Sequence, residues 1–437
     1  MSEKRHRQQQ RRQRRKAAGR PRLNGTARST SRSDPDRELG DLITSLAAIA
    51  VREATAPTSA LEAEQWAACI VGTWHVRLLP GGENIEELFF PGFTAALEKL
   101  GTARALATLR ALSAVGAGIY GRRARAAADR LAARGVTEAP WSAELGQAQP
   151  VTAALMCDEA FDDGVSVLVE FAGGDDEPHT LGIYVDHNIG GLVKDAFVAG
   201  PLSEVRGELE RQAADEVGPA IRDLDLAEAR ARVEAALYML DHTLDPPVSD
   251  DVRMLRALID ARMRLLPEGF ELADDGAEMT PKERDELLAD FLASPEGHGW
   301  RGDEDAEDVV GAAIDFGADY NHGGPLRWSP VVVEIFMTSW LARKVAREPE
   351  FFKRVPDVLR DWVAYAGRRR GVPSKPLREA VAAIKHYREE MLEAATDPEA
   401  RGPAKAFAVA AQQAGVDLSD PDAVGEFIER YNDGLAA

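Results

Sequence analysis

Asp186, His187 and Asn188 stand together at the end of a β-rich run and are followed by Ile189 and the pair Gly190-Gly191. Imidazole beside carboxylate is the pairing of an oriented general base, or of half a metal site. Four further carboxylates, Asp158, Glu159, Asp162 and Asp163, precede the strand before it. Hairpin pairing would bring that group to the same end of the two strands. Asp158, Asp162, Asp186 and His187 then make a set able to hold a hard divalent ion, with Asp186 and His187 as the candidate catalytic pair. The two glycines, ahead of an expected helix, would let backbone N–H groups approach an anion. A polar turn explains the same residues without any ligand, because Asn, Asp and Gly are what turns require. There is no second His at ligand spacing, no calcium-loop register around Asp158 and no phosphate-loop Gly-Lys-Ser. The stretch Asp315 to Gly324 also places Asn321-His322 before a Gly-Gly pair. Its flanks differ, so it is not a repeat, and it is expected to be a helix end and a loop.

A second binding chemistry lies at the start of the chain. Of 53 Lys and Arg residues, 13 fall in residues 1–37, with 3 of the 73 Asp and Glu; this gives +10 there and leaves −30 on the remainder. Leu23 is the one aliphatic side chain of any size in the segment, too little to offset the entropy of ordering it, so disorder is expected. Arg11, Arg12, Arg14, Arg15 and Lys16 run up to Gly19-Arg20-Pro21-Arg22. That tetrapeptide resembles the AT-hook motif, although Ala18 stands where the motif carries a second Arg. The resemblance implies an extended Gly-Arg-Pro core in the minor groove of A·T-rich DNA, with Arg20 and Arg22 reading the groove. A sequence-blind arm that contacts phosphates by counterion release is the alternative, and a merely solubilising tail is the third reading.

Other function classes lose their usual grounds. No Gly-x-Ser-x-Gly and no HExxH occurs, and no Gly-x-Gly-x-x-Gly follows a strand, so no cofactor is expected and a non-enzyme is preferred. Two cysteines, Cys69 and Cys157, cannot build a disulfide framework or a Cys-rich zinc site. No run approaches the ~20 apolar residues of a membrane span, and the polar, charged N-terminus does not read as a secretory signal. Cytoplasm is the expected location.

The positioning elements read as mainly α, in an α+β arrangement: helical bundles with one small antiparallel β element near residues 150–186. Val165, Val167 and Val169 alternate with Ser166, Leu168 and Glu170; a Gly-Gly-Asp-Asp turn and a second β-rich run, 180–185, follow. This is the clearest hairpin signal in the chain, with a third strand at 151–156. Elsewhere the 3.6-residue spacing of apolar residues predicts helices. Thr280-Pro281-Lys282-Glu283 is a capping box with Pro at the first helical position. Ser329-Pro330 opens an almost wholly apolar helix. The stretch Gly324 to Ala342 resembles sequences of an actinobacterial family of unknown function, which implies no site residues. The expected organisation is a basic tail at 1–37, a helical region at 38–145, an α+β region at 146–272 and a helical C-terminal domain at 278–437.

The function expected from these features is an intracellular binding or adaptor protein. Its tail would contact nucleic acid or another polyanion, and its acidic body would contact a protein partner. The alternative is a metal-assisted enzyme built on the Asp/His group at the end of the hairpin.

Overall fold

A computed structural model describes residues 35–54, 57–73, 85–157, 160–174, 176–213, 220–272, 279–397 and 402–416, and residues 424–431 except 426 and 429. The protein is mainly helical with one five-stranded antiparallel sheet. Among the described residues no helix is long and apolar enough to cross a membrane.

Local sequence chemistry sets the helix limits. Helices α1 (Pro35–Glu53), α2 (Ala60–Gly72), α3 (Ile85–Leu100), α4 (Ala103–Val115) and α5 (Gly118–Ala133) come first. Ser59 and Thr102 cap α2 and α4 through hydroxyls that accept from backbone N–H groups three residues on, satisfying donors that the first turn leaves orphaned. Pro91 sits inside α3, and Gly101 provides the break between α3 and α4. Phe90, Phe93, Leu97, Leu106, Leu109 and Leu112 form the centre of this bundle, which also takes in Ala257 and Leu258 from later in the chain.

The sheet follows: β1 (Gln149–Cys157), β2 (Gly164–Gly173), β3 (Asp176–Asp186), β4 (Leu192–Ala199) and, after α6 (Leu202–Ala213), β5 (Ala220–Leu224). Its order is β4-β3-β2-β1-β5, every pair antiparallel. The alternation that marked β2 sends Val165, Val167, Val169 and Phe171 to one face. There they pack with Val233 and Leu237 of α7 (Leu226–Asp241) and Ile259 and Met263 of α8 (Asp250–Met263). The opposite face is thinner: Ala154 and Leu168 meet Leu202 of α6.

The helix expected after Gly190-Gly191 is β4 instead. Gly190 (φ +89°) and Gly191 (φ +72°) turn the chain back on itself, and Leu192, Val193 and Ala196 then go into the sheet core. The glycines therefore serve a reversal that only positive φ allows, and they do not lie at a helix start. β5, too, went unforeseen.

The C-terminal helices are α9 (Pro281–Ala293), α10 (Glu304–Asp319), α11 (Pro330–Glu334), α12 (Leu341–Lys344), α13 (Pro349–Arg370), α14 (Ser374–Thr396) and α15 (Pro403–Gln413). The reciprocal Thr280–Glu283 capping box is formed. Between α11 and α12, Ile335–Trp340 widens into a π-helical stretch. Phe336 there packs against Phe316, Trp328 and Trp340, with ring centroids 5.2–5.6 Å apart. Two residues from the β1–β2 connection, Ala160 and Phe161, are buried in this C-terminal core. A buried Phe is worth about 1.5–3 kcal/mol, so this insertion fixes the rim of the sheet against the C-terminal helices.

Candidate metal centre

The centre forms where three loops meet: 160–163 between β1 and β2, 187–191 between β3 and β4, and 320–327 after α10. Phe161, held in the C-terminal core, delivers Asp162 to the junction. Asp162 has φ +57°, a left-handed conformation that Asp tolerates better than most side chains. His187 is buried, and its ring nitrogen Nδ1 lies 3.0 Å from the Asp162 carbonyl oxygen and 3.4 Å from its Oδ1. The ring of His322 comes from the other side, with centroids 4.2 Å apart and planes inclined by 39°. One potential ligand atom from each of Asp162, His187 and His322 lies within 4.8 Å of the other two.

Arg327 fastens the loops to one another. It is fully buried. Its Nε donates to the His322 carbonyl, Nη1 to Asp163 Oδ1 at 2.7 Å and to the Asp162 carbonyl at 3.3 Å. Nη2 donates to Asn188 Oδ1 at 2.9 Å and to Asn321 Oδ1. The planar guanidinium presents five donors in fixed directions, and here they reach all three loops. Asn321 returns two bonds through Nδ2, to the carbonyls of Arg327 at 2.8 Å and Gly324 at 3.2 Å. Asp163 closes the frame: its carbonyl accepts from His187 N at 3.0 Å and from Asn188 Nδ2 at 3.3 Å. The approach of α10 is equally close. A Cβ on Gly317 would stand 2.2 Å from the Pro325 Cα.

The electrostatics follow from this frame. Burial pushes the Asp162 carboxyl up, but the hydrogen bond and charge of His187, with His322 and Arg327 behind it, hold it below the ordinary carboxylate value. Burial lowers the proton affinity of Arg327, while Asp163 and Asp162 act to raise it and Arg370 acts to lower it. Asp162 is therefore an anion, the natural form of a metal-ligating carboxylate.

Of the residues singled out in the sequence, Asp162 and His187 come together. Asp186 does not join them: its carboxylate accepts from Asn188 N at 2.8 Å and pairs with Lys194. It caps the short 3₁₀ turn His187–Ile189, and as the neighbour of His187 on an extended chain it faces elsewhere. Asp158 lies outside the described residues, as do Arg11, Arg12, Arg14, Arg15, Lys16, Arg20 and Arg22. Sequence reasoning missed His322 as a partner of His187, and Arg327 altogether. The available signal was the pair of Asn/His–Gly-Gly turns: Asn188 and Asn321 both accept from Arg327.

The donor set suits a borderline divalent ion. Imidazole and carboxylate bind zinc-type ions at about 2.0–2.2 Å, so tetrahedral ligand atoms stand roughly 3.4 Å apart. The three candidate ligand atoms lie within 4.8 Å of one another, an envelope wider than that spacing, so binding an ion would draw them together. A carbonyl beside one ring nitrogen is a common outer partner of metal-bound His, since it holds the proton there and leaves the lone pair on the other nitrogen. Comparison with protein families, with curated proteins and with solved structures finds no match for the chain.

Proposed function

We propose that the protein binds a divalent transition-metal ion through Asp162, His187 and His322 and uses it as a Lewis-acid centre. The observation that carries this reading is the convergence of two imidazoles and an anionic carboxylate from separate segments within 4.8 Å. Such a set suits Zn²⁺ and related ions better than Mg²⁺ or Ca²⁺, which take oxygen ligands. Three protein ligands leave a fourth position for water or substrate, the pattern of catalytic rather than structural zinc sites. A water held there would be activated near neutral pH, the requirement for metal-assisted hydrolysis. Arg327 is buried and occupied by protein acceptors, so its part is to position the ligands, not to touch substrate.

The test is thermal denaturation of the full chain with and without Zn²⁺. An ion that binds the folded state at 100 times its Kd stabilises it by about 2.7 kcal/mol. The Tm should rise for the wild type and stay level for Asp162→Ala and His322→Ala. Asp186→Ala should keep the rise, because Asp186 is engaged by Lys194. A Tm unmoved by Zn²⁺, Co²⁺ or Ni²⁺ would end the proposal.

A second reading concerns residues 1–37 and rests on their +10 charge and on Gly19-Arg20-Pro21-Arg22. In it, the segment holds nucleic acid or another polyanion, and the acidic remainder meets a protein partner. Retention on DNA should fall steeply with salt and vanish when residues 1–37 are deleted. Retention that survives the deletion would refute it.

A further inference from the structure

Four arginines, Arg110, Arg125, Arg262 and Arg264, line one cavity of about 870 Å³. It lies between α4, α5, the turn Pro140–Ala143 and the C-terminal end of α8. None of its lining residues belongs to the Asp162 centre. Such a concentration of guanidinium goes against the chain as a whole, whose net charge is −20.

The charges are only partly compensated. Arg110 pairs with Asp129 at 2.6 Å and Glu138 at 2.8 Å. Arg262 pairs with the buried Glu64, whose other oxygen accepts from Gly146 N at 2.7 Å. Arg125 meets no carboxylate among the described residues, and the one hydrogen bond of Arg264 is a 3.4 Å contact to the Val115 carbonyl. Two cations are left over. Two buried polar atoms in the wall are also without a protein partner: Arg262 Nε, on a side chain 3% exposed, and Ser142 Oγ. Buried donors of this kind are ordinarily satisfied, and an orphan costs about 1–3 kcal/mol. Leu145 and Leu265 add an apolar surface beside them.

We infer that this cavity binds a small oxyanionic ligand, a phosphate- or carboxylate-bearing metabolite. Arg125 and Arg264 supply the charge, on side chains that line the cavity. Guanidinium forks match both oxyanions in shape and charge. The volume falls within the roughly 300–1,000 Å³ of small-molecule sites.

The experiment is titration calorimetry on the full chain, with inorganic pyrophosphate and citrate as probes. Binding of pyrophosphate alone assigns a phosphate ligand, and binding of citrate alone a carboxylate. Arg125→Glu and Arg264→Glu, both at exposed positions and shown to be folded by circular dichroism, should each weaken binding at least about tenfold, the loss of one charge-assisted bond. Asp162→Ala should bind as the wild type does, which separates the cavity from the metal centre. Two results overturn the inference: no heat with either probe, or binding unchanged in both Glu variants. The second would place the anion on the basic N-terminal segment instead.

Discussion

His187 and His322 face each other with ring centroids 4.2 Å apart, one at the end of the sheet and the other beyond α10. Among the described residues no backbone–backbone hydrogen bond joins these two turns. Arg327 does so, by donating to the Asn that follows His187, Asn188, and to the Asn that precedes His322, Asn321. The imidazole pair and the guanidinium are thus one unit, and the first expectations follow from treating them so.

Arg327 should be among the most costly residues to remove. Arg327→Ala would leave Asp163 as a half-buried, unpaired charge, partly relieved by solvent, and Asn188 and Asn321 with unmet acceptors. Loss of one partner from a buried ion pair costs about 3–5 kcal/mol. Arg327→Lys keeps the charge but lacks the fork, and should recover only part of the loss. Urea denaturation of the three proteins checks this; an Arg327→Ala variant as stable as the wild type would contradict the stapling role.

Asp162 gives the centre a pH signature. Its carboxyl is held below the ordinary value in the folded protein, so the folded state favours the ionised form. That contribution is complete above the unfolded value of about 4 and is lost as pH falls through the lower, folded value. Asp162→Asn should flatten this acid-side limb of the stability curve and leave stability at neutral pH less dependent on further acidification. Superimposable acid profiles for the two proteins would show that Asp162 is not so coupled.

A pair of glycines on α10 gives a test of how the loop is placed. Gly317 lets Pro325 approach to a distance that any Cβ would block, whereas a Cβ on Gly311 meets nothing within 4 Å. Gly317→Ala should lower the Tm and weaken metal binding, because the segment carrying His322 and Arg327 must move. Gly311→Ala should be neutral or stabilising by up to about 1 kcal/mol, the helix preference for Ala over Gly. Equal effects at the two positions would mean that the close approach is not what places His322.

The parts of this architecture that were legible in sequence depend on near neighbours. Thr280 and Ser329 cap helices by reaching backbone N–H groups three residues away. The β2–β3 hairpin was visible because Val165, Val167 and Val169 alternate along one face. The β4 strand was missed because a Gly-Gly pair before Leu192 reads equally as a helix entry; pairing of Leu192 with Asp186 decides the matter. The site was half visible for the same reason. Asp186 adjoins His187 in the chain and so drew notice, yet its partner is Lys194. His322 and Arg327 take their meaning from contacts across more than a hundred residues, for example Arg327 with Asn188. Their own flanks record only a loop after a helix.

The most direct measurement is the absorption spectrum of the full chain titrated with Co²⁺, a spectroscopically visible stand-in for Zn²⁺. Ligand-field bands should grow to an endpoint of one ion per chain and be displaced by Zn²⁺. They should be absent from the His187→Ala and His322→Ala proteins, once circular dichroism has shown these to be folded. A Co²⁺ spectrum that stays that of the hexaaqua ion, or bands that persist in both His variants, would contradict a metal centre at Asp162, His187 and His322.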